Sequence, residues 1–160
     1  MSNYAPSTRK RIADINLGIR VDRAAATMTG ASTKSLFNVE GGRVLVRALV
    51  GEVTVAVANS TNNAKFVSTP DVGSVADMCA VGATQNLGIG GLVSLPGTSI
   101  ATAMHVSSTT AAGAVPACNT SGIIAAAGVI GYNNSHSTDG TLKFSIWYVP
   151  LDEGAYVTSV

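Results

Sequence analysis

Charged residues are scarce in this chain. Asp, Glu, Lys and Arg make up 12% of its 160 residues, about half of the roughly 25% usual in soluble globular domains. Aromatic residues contribute only 5%, so small residues supply most of the surface. Surfaces with so few charges associate readily. We therefore expect copies of the chain or a partner protein to cover much of this surface, and a monomeric β-domain rich in small residues is the alternative.

Groups that carry enzyme chemistry are equally few. His105 and His136 have no carboxylate or cysteine at motif spacing, and Cys79 and Cys118 form neither a CxxC pair nor a cluster with histidine. The glycine-rich stretch at residues 88–91 has no lysine and precedes no helical pattern, which excludes a phosphate loop. We predict a non-enzymatic protein with no catalytic residues, no metal and no cofactor. The cysteines are expected to be buried thiols, with a single bridge as the alternative.

Long apolar runs are also missing. Residues 1–20 contain no continuous apolar segment of signal-peptide length, so we expect synthesis without export. The most apolar later stretch, residues 122–131, is ten residues long, too short to cross a bilayer. The sequence therefore predicts a soluble protein with no membrane partner.

The charges that are present divide the chain into two parts. Residues 1–23 carry five cations and two anions, whereas residues 24–160 carry five cations and seven anions. The basic segment is short and lacks the interleaved aromatic residues that stack on bases, so we predict a protein partner and no nucleic acid. A solvated end of the chain is the alternative. We expect residues 1–23 to form an extended N-terminal arm on a body of residues 24–160.

The clearest periodicity lies at residues 35–58. Apolar residues alternate with other residues on both sides of Gly51, and paired glycines stand at Gly41 and Gly42. This pattern predicts three consecutive strands in a β-meander, with tight reversals at Gly41–Gly42 and at Gly51. Together with the alternation at residues 141–149, it predicts these core residues: Val44, Val46, Val53, Val55, Phe144 and Ile146.

Turn signals recur about every 8–12 residues through most of the chain, which favours an all-β antiparallel sandwich or barrel. The further predicted strands are residues 64–68, 74–81, 91–95, 98–106, 123–132 and 141–149. Residues 12–21, which alternate from Ile15 onward, are predicted to form an extended strand or a strand-like arm. We interpret residues 22–34 as a connection, with a short helix as the alternative. Residues 151–160 are interpreted as an exposed tail or a last short strand.

Three phrases of the sequence carry a resemblance to a known group. They are VEGGRVLVRALVGEVTVAV at residues 39–57, TNNAKFVSTPDVGSVADMCAV at residues 61–81 and TLKFSIWYVPLDEGAYV at residues 141–157. With them the chain resembles small structural proteins of tailed bacteriophages, most closely capsid decoration (cement) proteins, although residues 107–121 have no match. The resemblance implies a jelly-roll-like antiparallel β-sandwich that assembles with itself, usually as trimers or dimers. We expect a trimer, because a capsid lattice offers threefold positions.

The resemblance also implies a function. The partner would be the major capsid protein, and the location would be the outer surface of the virion capsid after synthesis in the host cytoplasm. The rival function is a receptor- or glycan-binding β-module of a tail or fibre. The candidate capsid-binding residues are Tyr4, Arg9, Lys10, Arg11, Ile15, Leu17, Ile19 and Arg20.

Overall fold

The computed structural model describes residues 16–58, 61–107, 113–116 and 121–160. The ordered elements in these ranges are β-strands that form two sheets. Sheet A contains β1 (Ile19–Thr27), β3 (Val44–Val55), β7 (Leu92–Ser94), β8 (His105–Val106), β9 (Ile123–Ala125) and β11 (Thr141–Pro150). Sheet B contains β2 (Thr33–Glu40), β4 (Asn63–Pro70), β5 (Ala76–Asp77), β6 (Gly82–Ala83), β10 (Gly128–Asn134) and β12 (Tyr156–Ser159).

Every strand pairing within the two sheets is antiparallel, which confirms the predicted all-β antiparallel fold. Sheet A has the order β1-β11-β3-β7-β8, with β9 also paired to β3. Sheet B has the order β12-β2-β10-β4-β5, with β6 also paired to β4. The long strands β3 and β11 lie together in the middle of sheet A.

The core lies between the two sheets, where aromatic rings from both meet. The Phe144 ring of sheet A lies 6.3 Å from the Phe66 ring and 5.4 Å from the Tyr132 ring of sheet B, measured between centroids. All three side chains are at most 2% exposed. Tilted and edge-to-face contacts of this kind are the favoured arrangement of aromatic pairs. The predicted core residues Val44, Val46, Val53, Phe144 and Ile146 are confirmed as buried.

The predicted reversal at Gly51 is wrong. Gly51 lies inside β3, which continues as one twelve-residue strand. A Cβ atom at this position would lie 2.6 Å from Phe144 Cε1 and 2.7 Å from Val93 Cγ2. The glycine is therefore required by the close approach of two core side chains to the backbone, and not by a turn.

The predicted β-meander is also wrong, because β2 and β3 belong to different sheets. Gly41 and Gly42 have φ values of 73° and 143°, and the turn they form carries the chain from sheet B to sheet A. Val55, predicted to be a core residue, is 50% exposed. It is the last residue of β3 and pairs with Thr141 beyond a register shift, which ends the alternation that held for Val53.

Several other predicted strands are shorter or divided. The predicted strand at residues 74–81 is limited to β5, and the one at residues 98–106 is limited to β8. The predicted strand at residues 123–132 is two strands, β9 in sheet A and β10 in sheet B. The segment interpreted as a connection, residues 22–34, contains the end of β1 and the start of β2. The end of the chain forms the short strand β12.

The predicted boundary between arm and body lies inside β1, because residues 19–23 pair with β11 in sheet A. Residues 1–15 lie outside the described residues, so the remainder of the arm stays a prediction. Away from β1, an isolated bridge between Ala80 and Ala103 joins the segment between β5 and β6 to the segment that precedes β8. The backbone N–H of Ala80 donates to Thr102 O and that of Met104 donates to Ala80 O, each over 2.9 Å.

A buried polar network holds the loops at one end of the molecule. Asn62 is 1% exposed, and its Nδ2 donates to Thr84 Oγ1 over 2.9 Å. The Asn134 side chain accepts from Asn62 over 3.4 Å and donates to Met28 O over 2.9 Å. These bonds connect the loop between β1 and β2, the loop before β4, the segment after β6 and the end of β10. The network therefore holds several loops together.

An ion pair joins two turns at the other end. Arg43 Nε and Nη2 donate to Asp152 Oδ2 and Oδ1 over 2.9 and 2.7 Å, and the Arg43 backbone N–H also donates to Oδ2 over 2.7 Å. The hydrogen bonds from the Arg43 side chain and backbone lower the pKa of Asp152 to about 2. The turn between β2 and β3 is thereby attached to the turn that follows β11.

Candidate binding surface

Three of the eight predicted contact residues fall within the described part of the chain. Leu17 and Ile19 are 39% and 43% exposed, and Arg20 is exposed beside them at the start of β1. The strand is an edge of sheet A, so these residues lie on the rim of that sheet. The other five predicted contacts are Tyr4, Arg9, Lys10, Arg11 and Ile15, which lie outside the described residues.

Arg20 belongs to a small polar cluster on the outer face of sheet A. Its Nε donates to Asp22 Oδ1 over 2.8 Å, and the Ser145 hydroxyl donates to the same oxygen over 2.5 Å. Its guanidinium carbon lies 5.2 Å from the centroid of the Trp147 ring, a cation–π distance. The hydrogen bond from Ser145, together with Arg20, lowers the pKa of Asp22. The Arg20 charge is therefore already compensated within the face.

Beside this cluster lies a row of aliphatic side chains, which we call the apolar row. Leu45 of β3 is directly opposite Ile124 of β9 on one side and Val149 of β11 on the other. Directly opposed residues share a face of the sheet, and the sequence neighbours Val44 and Tyr148 are buried, so the row faces outward. Ile124 is 62% exposed and Val149 is 38% exposed. The row is a continuous apolar strip across three strands.

A second ion pair lies further along the same face. Lys143 Nζ is 3.0 Å from Glu52 Oε2, and the two residues are directly opposed on β11 and β3. Both side chains are close to half exposed. With Arg20 and Asp22, the face thus presents two pairs of opposite charge. Such a face can approach another protein without like-charge repulsion.

The outer face of sheet B differs in chemistry. Its exposed positions carry mainly hydroxyl, amide and charged groups, such as Tyr156, whose hydroxyl donates to Glu40 Oε2 over 2.6 Å. This bond raises the pKa of Tyr156. Lys65 pairs with Asp77 at 2.7 Å near the far edge. Sheet A therefore offers the more apolar of the two outer faces.

Sequence reasoning missed the residues of the apolar row and Trp147 as surface candidates. The alternation at residues 141–149 did contain the signal, since it placed Trp147 and Val149 opposite in parity to Phe144 and Ile146. The contribution of Ile124 could not be found in this way. It depends on the pairing of the short strand β9 with β3, which joins residues far apart in the chain.

The groups considered for chemistry lie apart from one another. The described residues contain no group of three or more His, Cys, Asp or Glu placed to hold a metal ion. Cys79 is a buried free thiol whose pKa is raised by burial, and Cys118 lies outside the described residues. His105 is half-buried in β8, and His136 is exposed with Nδ1 2.9 Å from Ser135 Oγ. Among the described residues, no helix has the length and apolar character needed to cross a membrane.

Comparison with known proteins gives no relative: no family model, no curated protein and no solved structure matches the chain.

Proposed function

We propose that this protein is a bacteriophage capsid decoration protein, which binds the outside of the head shell and stabilises the lattice of the major capsid protein. The observation that carries the proposal is the outer face of sheet A, where the apolar row lies beside charges that are already paired. Such a face can be covered by another protein without leaving an uncompensated charge buried. The resemblance noted in the sequence supplies the identity of the partner.

In this proposal the body is a jelly-roll-like sandwich and residues 1–23 contain an arm that docks on a neighbouring chain. The chain enters sheet A at Ile19, the first residue of the edge strand β1. Arm and row would therefore bind adjacent parts of the shell. If this protein forms an interface of standard size, about 1,600 Å², that extends across two or three capsid subunits, it holds those subunits together. Repetition over the lattice adds avidity to contacts that are individually weak.

The proposal includes assembly of the protein with itself. A homo-oligomer follows from the low charge of the surface, and the trimer is the order that the resemblance favours. Closed symmetry allows identical faces to cover one another without growth into a filament. Sedimentation of the purified full chain measures the order directly.

The deciding experiment compares two charge insertions in a binding assay with capsids that lack the protein. Ile124→Glu places a carboxylate in the apolar row, and Thr69→Glu places one at an exposed position of sheet B. Both positions are exposed, so both variants should fold. We expect Ile124→Glu to abolish most of the binding and Thr69→Glu to leave it unchanged.

Equal binding by both variants would refute a role for the apolar row. The position of the protein in intact particles, measured by cryo-electron microscopy, tests the function itself. Density on the outer capsid lattice is expected. Density confined to the tail would overturn the decoration proposal in favour of a receptor- or glycan-binding module.

A further inference from the structure

The longest open strand edge in the described part of the chain belongs to β1. One side of β1 pairs with β11, and no described strand pairs with its other side. The edge strands β5 and β8 have only two residues each, and β12 has four. An open edge presents unpaired backbone N–H and C=O groups that can pair with another strand. β1 is therefore the edge with the greatest capacity to add a strand.

The sequence of this edge is complementary to itself. Arg20 and Asp22 flank Val21 and lie on the outer face, since they oppose Trp147 and Ser145 of β11. If a second β1 pairs antiparallel about a two-fold axis at Val21, Arg20 of each copy is directly opposite Asp22 of the other. The pair of Arg20 and Asp22 within each chain then becomes part of a four-residue cluster of alternating charges. Opposite charges at directly opposed positions stabilise a strand pair. The pairing would also cover Ile19, which is 43% exposed.

Repulsion between like charges disfavours the neighbouring registers of this strand pair. A two-fold axis at Arg20 would oppose two arginines, and an axis at Asp22 would oppose two aspartates. An axis at Arg23 would oppose two arginines whose side chains lie on the core-facing side, because Arg23 is opposite Phe144. A register shift between Arg23 and Ala26 then breaks the regular edge. Only the axis at Val21 joins unlike charges and ends before this irregularity.

We infer that two copies of this chain pair through β1, centred on Val21, to form a two-fold dimer with a continuous sheet A. The occupant of the edge is thus a second copy of the chain. The edge strand β12 of sheet B lies beside β1, so the two-fold axis also brings the β12 edges of the two copies towards each other. The inference does not depend on capsid binding, and it differs from the trimer that the resemblance favours.

The test uses charge-swapped variants of the full chain in sedimentation equilibrium. Arg20→Asp leaves only anions at the two outer positions, and Asp22→Arg leaves only cations. Each variant alone opposes like charges across the dimer and should dissociate at roughly tenfold higher concentration or more. An equimolar mixture restores unlike pairs, so we expect it to dimerise as tightly as the original chain.

Glu52→Lys is the matched control, since it reverses a charge on the same outer face but lies on β3, which β11 separates from β1. It should leave the dimer unchanged. Circular dichroism confirms that each variant is folded. The inference is overturned by a monomer or a trimer of the original chain at high micromolar concentration. It is equally overturned if the single variants dimerise normally or if their mixture fails to recover the dimer.

Discussion

Truncation of Phe144 to alanine tests the central contact between the two sheets. The side chain is 1% exposed and its ring touches those of Phe66 and Tyr132 across the interior. Removal of a buried phenylalanine ring costs about 3–5 kcal/mol, the sum of lost transfer energy and the cavity left behind. Two aromatic partners and nearly complete burial place this residue in the upper half of that range. We expect the free energy of unfolding to fall by about 4 kcal/mol.

A substitution at Gly51, which lies against the Phe144 ring, provides a second test of the packing around that ring. Gly51→Ala places a methyl group 2.6 Å from Phe144 Cε1, and overpacking of this kind costs about 1–3 kcal/mol. In the double variant the ring is absent, so most of this clash is removed, although Val93 Cγ2 still lies 2.7 Å from the new methyl group. The double variant should therefore lose less stability than the sum of the single variants.

Urea unfolding followed by fluorescence and circular dichroism measures all four proteins, with the midpoint and the slope compared separately. A coupling energy of about 1 kcal/mol or more between residues in contact is expected. A loss below about 1 kcal/mol for Phe144→Ala would mean that the ring is not packed in the core. Strict additivity of the two substitutions would mean that Gly51 does not face the ring.

Three further predictions address other parts of the molecule. Asn62→Ala should lower the free energy of unfolding by about 1–3 kcal/mol, because buried partners lose hydrogen bonds, and urea unfolding measures the loss. Asp152 has a folded-state pKa of about 2, below its ordinary value of about 3.9. Its stabilisation is therefore present above about pH 4 and lost as the pH falls through about 2, so the melting temperature of Asp152→Asn should depend less on pH in this window. Deletion of residues 1–11 should leave the body folded, by circular dichroism, but weaken binding to capsids; unchanged binding would contradict the arm.

The fold class and the long strands were accessible from the sequence because their side chains alternate. β11 was predicted over residues 141–149 and is present as Thr141–Pro150, and the short strand predicted at residues 64–68 is present as Asn63–Pro70. In both strands one face is buried between the sheets, and burial of one face is what creates a period of two. Where a strand has only two residues, as in β5 and β8, no period can be detected.

The sheet to which each strand belongs could not be predicted. β2 and β3 are separated by Gly41, Gly42 and Arg43, and paired glycines suit a hairpin and a turn between sheets equally well. Gly51 is a similar case, because glycine serves both a reversal and a close approach of side chains to the backbone. The burial of Asn62, which lies in a loop, could not be predicted either. Its neighbours have turn-forming composition, yet its side chain is buried by partners far away in the chain.

The candidate surface was predicted only in part, because its contacts depend on which strands are neighbours in sheet A. Leu17, Ile19 and Arg20 were predicted as contact residues because they lie in the basic segment of residues 1–23. The compensation of Arg20 by Asp22 could be suspected from their spacing, but its contacts with Ser145 and Trp147 depend on the register between β1 and β11. That register is set by contacts between strands more than a hundred residues apart, which a single sequence does not reveal.

The proposed capsid contact combines two parts whose energies respond differently to salt. The arm carries Arg9, Lys10 and Arg11, and attraction between exposed charges is screened over about 10 Å at 0.1 M salt and about 3 Å at 1 M. The apolar row has no charge to screen, and the adjacent pair of Arg20 and Asp22 is compensated within the face. High salt should therefore weaken binding of the full chain towards the level of the chain lacking residues 1–11, and should affect the truncated chain little. If the truncated chain lost its binding as steeply as the full chain, the apolar row would not be the salt-independent part of the interface, and charge pairs would have to supply the contact instead.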